Sequence, residues 1–546
     1  MSAVQASRQE EARLLLGDEA IALAALDAGI TGAFGYPGTP STEIFETIQA
    51  WGEGVWAQWS ANEKVAYEEA LGMSYVGKRA LVTMKHVGLN VAADPFMSSA
   101  LTGVQGGLVL VVADDPGMHS SQNEQDSRFY ADFAKIPCFE PGNQQECYDM
   151  VREAFRVSER YEVPVMVRLV TRLAHSRSTV RPWAEDERGH REKPVVLPDP
   201  NDWTLVPFNA RHRYHRLLSI QKDLEHLSED SVHNRLVLRG KRGILSSGIA
   251  TNYVGEALRG DAYDSTLHIG SYPIAVDLVR EFVEHCDEIF VFEDGYPFIE
   301  QRLQGLLGLS GKSIRGKLDG TVPNQGELTP EIVGAALGQP FAVSPVETIV
   351  AARPPQLCKG CPHADSFNAL IDAVAGFEQP ILFSDIGCYT LAVMPPYRAV
   401  HSCVDMGASI GMAHGASHAG AYPVVCTIGD STFSHSGLTP LMGAIRADAD
   451  ITVIILDNAT TAMTGTQESM TTGEDLMEML RGLGVKDLHL VEPHKKNHAL
   501  TVETIKHAIA HRGLSVIVSR RACIHWKAHK PMAAAIPVCQ AENENV

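Results

Sequence analysis

The sequence has no long apolar run, no surplus of positive charge and no regular cysteine pattern. Without a run of about 18 apolar residues, no membrane-spanning helix is expected. The acidic N-terminal segment lacks the apolar core of a signal peptide. A net charge of −20 makes nucleic acid an unfavourable partner. The 10 cysteines show no disulfide-like spacing in 546 residues, which favours a reducing cytoplasm.

Short apolar runs alternate with helix-compatible segments along most of the chain, which is typical of α/β domains with parallel sheets. The length favours about three or four domains. We predict three, at residues 1–190, 191–345 and 346–546. Asp294 and Glu300, in the middle domain, could line a site, but a solvated loop is the expectation. Buried strands are predicted at residues 32–36, 80–84, 108–113, 163–170, 242–245, 265–270 and 288–292.

Two polar loops in the last domain each follow a short apolar run. These runs, 423–428 and 451–456, predict a β-α-β unit because a helix-compatible segment separates them. Both loops would then lie at the carboxyl edge of a parallel sheet, where such folds bind ligands. Asp430 from the first loop and Asn458 from the second offer the oxygen ligands that Mg²⁺ prefers.

This pair of loops resembles the thiamine diphosphate motif, which begins with Gly-Asp and ends at an asparagine in the following loop. The resemblance implies that Asp430, Asn458 and the backbone carbonyl of Thr460 hold Mg²⁺. Small residues would let the diphosphate approach the backbone at a helix N-terminus. An ordinary β-α-β crossover with polar loops is the alternative interpretation. The residues expected around the diphosphate are Gly429, Asp430, Ser431 and Thr432.

Glu63, in the segment NEKVA of the first domain, is a second candidate. Thiamine enzymes need a carboxylic acid against N1′ of the aminopyrimidine ring. That acid must lie in an apolar site, where its pKa is raised and it can share a proton. Glu63 would fill this role; a carboxylate on a helix surface is the alternative.

Several longer motifs carry a closer resemblance. They follow one another along residues 10–525 and resemble the large subunit of indolepyruvate:ferredoxin oxidoreductase, one of the thiamine-dependent 2-oxoacid:ferredoxin oxidoreductases. The resemblance implies a pyrimidine-binding and a diphosphate-binding thiamine fold, each a parallel sheet with helices on both faces, around a transketolase C-terminal-like domain. It also implies oxidative decarboxylation of a 2-oxoacid, with coenzyme A as co-substrate. The motifs are GYPGTPSTEIFE, NEKVA, TMKHVGLNVAADP, VVADDPGMHSSQNEQDSR, LCKGCPH, SDIGCYTL, MGASIGMAHG and GDSTFSHSG.

The resemblance also implies roles for single residues. Thr39 matches a threonine that contacts the substrate carboxylate, and Glu63 matches the glutamate that activates the thiamine ring. His86 and His435 are candidates for substrate or proton contacts, with structural histidines as the alternative. Met463 replaces an amide of pyruvate-type relatives, which favours an aryl pyruvate because methionine is apolar and adapts to aromatic rings.

Four cysteines match the ligands of the [4Fe–4S] cluster nearest thiamine in this superfamily. Thiolates at this spacing suit such a cluster or zinc, and buried structural cysteines are the third interpretation. The four are Cys358, Cys361, Cys388 and Cys523. The cysteines expected to be structural are Cys138, Cys147, Cys286, Cys403, Cys426 and Cys539.

The chain departs from the family pattern after residue 525, where the ferredoxin-like segment with further cysteine runs is missing. Electrons are therefore expected to leave through a small (β) subunit, ferredoxin or another acceptor, in a dimer of heterodimers. The segment 466–475 also differs, which puts the substrate in question. A non-oxidative thiamine decarboxylase or carboligase is the main alternative. A non-catalytic scaffold subunit is a further one, against which Glu63, Asp430 and Asn458 argue.

Overall fold

The chain folds into two compact units, residues 1–351 and residues 352–546. Both are built from parallel sheets and helices, so the predicted α/β class is confirmed. The division into three domains remains a prediction. The computed structural model describes residues 12–183, 203–258, 263–339 and 355–526.

The strands are numbered in chain order. They are β1 Arg13–Leu16, β2 Gly32–Gly35, β3 Trp56–Trp59, β4 Ala80–Lys85, β5 Leu108–Asp114, β6 Cys138–Phe139, β7 Val165–Val170, β8 Arg177–Val180, β9 Arg235–Val237, β10 Arg242–Ser247, β11 Ser265–Ile269, β12 Ser271–Tyr272, β13 Glu288–Phe292, β14 Ser313–Arg315, β15 Ile381–Ser384, β16 Val424–Gly429, β17 Thr452–Asp457, β18 Thr460–Thr461, β19 Gln467–Glu468, β20 Asp487–Val491 and β21 Ser515–Arg520.

The helices are named by their residues. The α-helices are Gly17–Asp27, Thr42–Trp51, Glu63–Tyr75, His86–Val91, Ala93–Thr102, Arg128–Ala134, Gln144–Tyr161, Thr171–His175, Pro207–Ser219, Gln221–Glu229, Ala250–Ala257, Val276–His285, Phe298–Gln304, Pro330–Ala336, Pro362–Val374, Ala408–His418, Asp430–Thr432, Leu438–Ala447, Gly473–Gly482 and His498–Ala510. The 3₁₀ segments are Cys388–Val393, Ala462–Thr464 and Lys495–Asn497, and Phe433–Gly437 is a π-helical turn.

The first unit contains a seven-stranded sheet in the order β12-β6-β7-β5-β4-β2-β3. All pairings in it are parallel except that of β12 with β6. The strands β2, β4, β5 and β7 are buried along their whole length. Continuous burial explains why their sequences are apolar runs rather than alternating patterns, and why they were predictable.

A second sheet of the first unit has the order β14-β13-β10-β11-β9, and only the β9–β11 pair is antiparallel. Its strands β10, β11 and β13 confirm the predicted runs of the middle of the chain. The two sheets share apolar cores, since one cluster includes Val111 and Phe290 together and another includes Leu110 and Leu267.

Buried charges also join these two sheets. Arg168 on β7 donates to Asp114 at 2.8 Å, to Glu140 at 2.5 Å and to the carbonyl of Asp294 at 2.9 Å. Arg128 donates to Glu293 at 3.1 Å and pairs with Glu140 as well. These charges are buried, so they depend on one another and on hydrogen bonds within the protein for stabilisation.

The expectation of a solvated loop around Asp294 and Glu300 was wrong. Both side chains are buried, and Glu300 accepts a hydrogen bond from the backbone of Lys317 at 2.7 Å. Burial, opposed by Arg168 and Lys317, raises the pKa of Asp294 to about 6. The local sequence does not reveal this burial, because the hydrogen-bond partners of the loop come from other segments of the chain.

The second unit contains a wholly parallel sheet in the order β15-β16-β17-β21-β20. Its strands β16 and β17 confirm the two predicted apolar runs, each shifted by one residue. The register pairs Gly429 with Leu456, so the loops after β16 and β17 leave the same edge of the sheet. In the described part of the chain, no helix has the length and apolarity needed to cross a membrane.

Replacing Arg168 by Met should destabilise the first unit. The change leaves Asp114 and Glu140 buried without their main cation, which lowers the free energy of unfolding by about 3–5 kcal/mol. Urea unfolding would measure it. Arg280→Met is the control, since Arg280 forms an exposed pair with Asp277 and should cost less than about 1 kcal/mol. Equal losses in the two variants would contradict the role of the buried network.

Candidate functional site

Asp430 lies directly after β16, at the carboxyl edge of the parallel sheet in the second unit. Its side chain is 2% exposed, and among the described residues its Oδ2 atom has no hydrogen-bond partner. Burial, reinforced by the nearby Asp457, raises the pKa of this carboxyl to about 8. A buried acidic group with an unused oxygen is suited to bind a cation.

The loop after β17 lies beside it. Asn458 is buried, and its side-chain oxygen accepts a hydrogen bond from the backbone N–H of Thr460 at 3.2 Å. The backbone turns at Ala459, which has a φ of 66°. The Thr461 hydroxyl donates to the Ser431 hydroxyl at 2.8 Å and so ties the second loop to the first. The structure thus brings together the two loops that the sequence predicts to hold Mg²⁺.

Gly429 is required by close packing. A Cβ atom at this position would lie 2.7 Å from Cε1 of Tyr389. The Tyr389 hydroxyl donates to the carbonyl of Ile386 at 2.9 Å, and the Thr432 hydroxyl donates to the same carbonyl at 2.8 Å. The loop after β15 is therefore fixed against the start of the helix that follows Gly429. The sequence did not single out Tyr389.

A π-helical turn, Phe433–Gly437, interrupts the helix that begins at Asp430. It contains His435, which is buried and whose Nδ1 lies 2.7 Å from the hydroxyl of Ser436. Such turns are rare and often occur at functional sites. Met463 lies on the 3₁₀ segment of the second loop and is 51% exposed in this unit.

The four candidate cluster cysteines lie near one another. Burial raises the pKa of the Cys388 thiol to about 11, and Cys361, Cys523 and Cys358 raise it further by their charge. Burial also raises the pKa of Cys361, with further contributions from Cys358 and Cys523. The backbone N–H of Cys361 donates to the carbonyl of Cys358 at 3.1 Å. Residues far apart in sequence thus form one group of thiols.

This group of thiols is joined to the second loop. The backbone N–H of Cys523 donates to the carbonyl of Asn458 at 3.0 Å. Arg521, which follows β21, donates to Asp365 at 2.8 Å and to the carbonyl of Gly360 at 3.2 Å. The CxxC segment and the chain after β21 are therefore held together at the edge of the sheet where Asn458 lies.

Five of the cysteines predicted to be structural are free thiols in the described part of the chain. The sixth, Cys539, lies outside the described residues. Burial raises the pKa of each of these thiols, which makes them unreactive. They are Cys138, Cys147, Cys286, Cys403 and Cys426.

In the first unit, Glu63 is the first residue of the helix Glu63–Tyr75 and is 5% exposed. The side chain of Asn62 caps this helix by accepting from the backbone of Val65 at 2.9 Å. A Cβ atom at Gly88 would lie 2.6 Å from Oε1 of Glu63, so only glycine leaves room for the carboxylate. The alternative of an exposed helix-surface carboxylate was wrong.

His86 and Thr39 lie in the same unit. His86 is buried; its Nε2 lies 3.0 Å from the carbonyl of Asn123, and its Nδ1 has no hydrogen-bond partner among the described residues. Thr39 is half-buried, and its carbonyl accepts from the hydroxyl of Ser120 at 3.3 Å. His86 thus keeps a ring nitrogen available for a ligand.

Lys85 is a candidate that sequence reasoning missed. It ends β4, and burial lowers the pKa of its ammonium group to about 8, although Asp115 and Glu63 act in the opposite direction. The Nζ atom donates to the carbonyl of Ser120 at 3.2 Å. A Cβ atom at Gly38 would lie 3.2 Å from the Lys85 stem, which packs on the loop of Thr39. The sequence does contain a signal for it, because a lysine stands directly after the predicted buried strand 80–84.

Comparisons with known proteins agree with this chemistry. Residues 23–215 match the family model for pyruvate flavodoxin/ferredoxin oxidoreductase, thiamine diphosphate-binding. Residues 385–519 match the model for the C-terminal domain of thiamine pyrophosphate enzymes. A solved 2-oxoglutarate:ferredoxin oxidoreductase from Magnetococcus marinus has a similar fold, with a TM-score of 0.51 and 14% identity over 60% of this chain and 65% of that chain.

Curated relatives match over nearly their whole length. The indolepyruvate oxidoreductase subunit IorA of Methanothermobacter thermautotrophicus is 37% identical, over 95% of this chain and 88% of the relative. The same subunit of Archaeoglobus fulgidus is 38% identical, over 94% and 86%. The 2-oxoglutarate synthase subunit KorA of Methanothermobacter thermautotrophicus is 26% identical, over 60% of this chain and 92% of the relative. The chain therefore belongs to the indolepyruvate oxidoreductase subunit family of thiamine-dependent 2-oxoacid:ferredoxin oxidoreductases.

Proposed function

We propose that the chain is the large subunit of an enzyme that oxidatively decarboxylates an aryl pyruvate, of the indolepyruvate type, to its acyl-CoA and CO₂. The observation that carries this proposal is the end-to-end similarity to relatives named indolepyruvate oxidoreductase subunit. The chain keeps the acidic and amide residues that the reaction needs, Glu63, Asp430 and Asn458.

The second unit would bind the diphosphate and Mg²⁺. Asp430, Asn458 and the carbonyl of Thr460 are oxygen ligands of the kind that Mg²⁺ prefers, and Asp430 has an unused buried oxygen. The backbone N–H groups of Ser431 and Thr432, in the first turn of a helix, suit the diphosphate. Bound thiamine diphosphate supplies the electron sink for the carbanion that decarboxylation leaves.

The first unit would activate the cofactor ring and bind the substrate. Glu63 is buried at the start of its helix, and its carboxyl would exchange a proton with the ring nitrogen. The ammonium of Lys85 would pair with the substrate carboxylate beside Thr39, because a buried cation attracts an anion strongly. The Nδ1 atom of His86, which has no hydrogen-bond partner among the described residues, would contact the substrate keto group. Met463, on the second unit, favours an aryl substrate because methionine is apolar and adapts to aromatic rings.

The four cysteines would hold one [4Fe–4S] cluster that accepts single electrons. Zinc sites place their sulfurs about 2.3 Å from the ion, so those sulfurs lie close together. Among the described residues, no three of these cysteines have their sulfurs within 4.8 Å of one another. This spacing is wider than a single zinc ion requires, and the proposal of a cluster rests on the match of these four cysteines to the family pattern. The electrons would pass to a small subunit or a ferredoxin, with the chain in a dimer of heterodimers.

Replacing Glu63 by Gln should lower kcat by at least about 100-fold while thiamine diphosphate still binds, because the amide cannot exchange the ring proton. Steady-state kinetics and cofactor fluorescence titration on the complete enzyme would measure both. Glu68→Gln on the exposed face of the same helix is the control. A Glu63→Gln enzyme with full kcat would refute the assignment.

The kcat/KM for the 2-oxoacid should fall as pH rises through about 8, because the Lys85 ammonium is present below that pH and neutral above it. Lys85→Arg should move this decline above pH 9, since arginine stays protonated. Lys85→Met should lower kcat/KM at pH 7 at least tenfold and abolish the decline. Exposed Lys64→Met should leave the profile unchanged. A decline retained in Lys85→Met would assign it to another group.

Anaerobic enzyme purified with its native partner should contain about four iron and four sulfide per chain for this cluster. Indolepyruvate with coenzyme A should bleach the visible absorbance. Cys361→Ala should remove this iron, whereas Cys426→Ala, a buried thiol elsewhere in the sheet, should retain it. Iron-free enzyme that releases an aldehyde without any acceptor would instead establish a non-oxidative decarboxylase.

A further inference from the structure

Three side chains of the first unit that the proposed reaction does not use bring their ligand atoms close to one another. A carboxylate oxygen of Asp18, one of Glu43 and a ring nitrogen of His175 all lie within 4.8 Å of each other. Each comes from a different helix. The three helices are Gly17–Asp27, Thr42–Trp51 and Thr171–His175.

Asp18 is the anomalous member of this group. Its side chain is 0% exposed, and neither carboxylate oxygen has a hydrogen-bond partner in the described part of the chain. The charges that act on it most are those of Glu43 and Glu19, which are both negative. His175 lies 3.5 Å from Glu43 and so pairs with the other carboxylate. A buried carboxylate in this setting lacks a positive charge.

The local backbone is arranged to bring these groups together. Asp18 and Glu43 each lie in the first turn of their helix, where the helix dipole stabilises an ionised carboxylate. A Cβ atom at Gly17 would lie 2.3 Å from the carbonyl oxygen of Leu173, so glycine allows the first helix to start against the helix of His175. The two carboxyl groups are thus held close together, although burial and the nearby Glu43 raise the pKa of Asp18 well above its ordinary value.

We propose that Asp18, Glu43 and His175 bind a divalent first-row transition ion. Two carboxylates and one imidazole are a ligand set typical of Mn²⁺, Fe²⁺ or Zn²⁺, whereas Mg²⁺ favours oxygen ligands alone. The side chains of Glu43 and His175 are 40% and 35% exposed, whereas Oε2 of Glu43 and both oxygens of Asp18 are buried, so the ion would lie at the inner end of a partly open site. Asp18 supplies the inner ligand.

The site would join three helices around the substrate-binding loop. Glu43 belongs to the helix that starts just after Thr39, and His175 is within electrostatic range of Asp115. Asp115 in turn accepts from the backbone of Ser120, whose hydroxyl bonds to the carbonyl of Thr39. A bound ion would therefore fix the helix that carries this loop. The proposal does not depend on the reaction or its cofactor.

The test is a titration with Mn²⁺ in which binding is measured as the loss of the free-ion signal in electron paramagnetic resonance. The Asp430→Asn variant of the complete enzyme is the background, because it lacks the proposed Mg²⁺ site and thiolates bind Mn²⁺ poorly. One Mn²⁺ should bind per chain. Adding Asp18→Asn or Glu43→Gln should abolish this binding, and adding Glu46→Gln, an exposed carboxylate on the helix of Glu43, should leave it intact.

Thermal unfolding separates loss of the ion from loss of the fold. Without Mn²⁺, Asp18→Asn should melt no lower than its parent, since neither carboxyl oxygen of Asp18 has a hydrogen bond to lose among the described residues. With Mn²⁺ at about 100 times its Kd, the parent should melt several degrees higher and the Asp18→Asn protein should not shift. No bound Mn²⁺, or equal binding with and without Asp18→Asn, would overturn the proposal and leave a proton shared by Asp18 and Glu43 as the explanation.

Discussion

The fold depends on how it compensates buried carboxylates. An ionised carboxylate costs several kcal/mol when it leaves water, unless a cation or several hydrogen-bond donors replace the lost hydration. In the first unit, Arg168 and Arg128 provide this compensation and join the seven-stranded sheet to the neighbouring one through Glu140. The two sheets therefore cannot separate without exposing unpaired charge. The apolar cores that the two sheets share add to this linkage.

The same principle distinguishes two aspartates that lie at the ends of neighbouring strands of the second unit. Asp457 ends β17 and accepts hydrogen bonds from Arg520 at 3.0 Å and from the backbone of Gly473 at 2.9 Å. Asp430 follows β16, and among the described residues its Oδ2 atom has no hydrogen-bond partner. The carboxylate of Asp457 is therefore satisfied within the protein, whereas that of Asp430 keeps an oxygen that could bind a cation. This contrast supports the proposal that Asp430, and not Asp457, is a Mg²⁺ ligand.

The sequence predicted the features that depend on local patterns. Apolar runs revealed β16 and β17 because strands buried on both faces cannot alternate polar and apolar residues. The polar loops after them followed from the geometry of parallel sheets. The sequence could not predict that Asp294 is buried, because its partner Arg168 is far away along the chain. Lys85 was missed for the same reason: its surroundings come from several separate loops.

Strand register also explains why Cys523 belongs with the other cysteines despite its distance along the chain. The strands β17 and β21 are parallel neighbours, and Asp457 pairs with Arg520. The segments that follow them therefore leave the sheet side by side, and the N–H of Cys523 reaches the carbonyl of Asn458. One loop thus serves both the proposed Mg²⁺ site and the proposed cluster. Single electrons move efficiently only over short distances, and this backbone hydrogen bond holds the segment of Cys523 against the loop of Asn458.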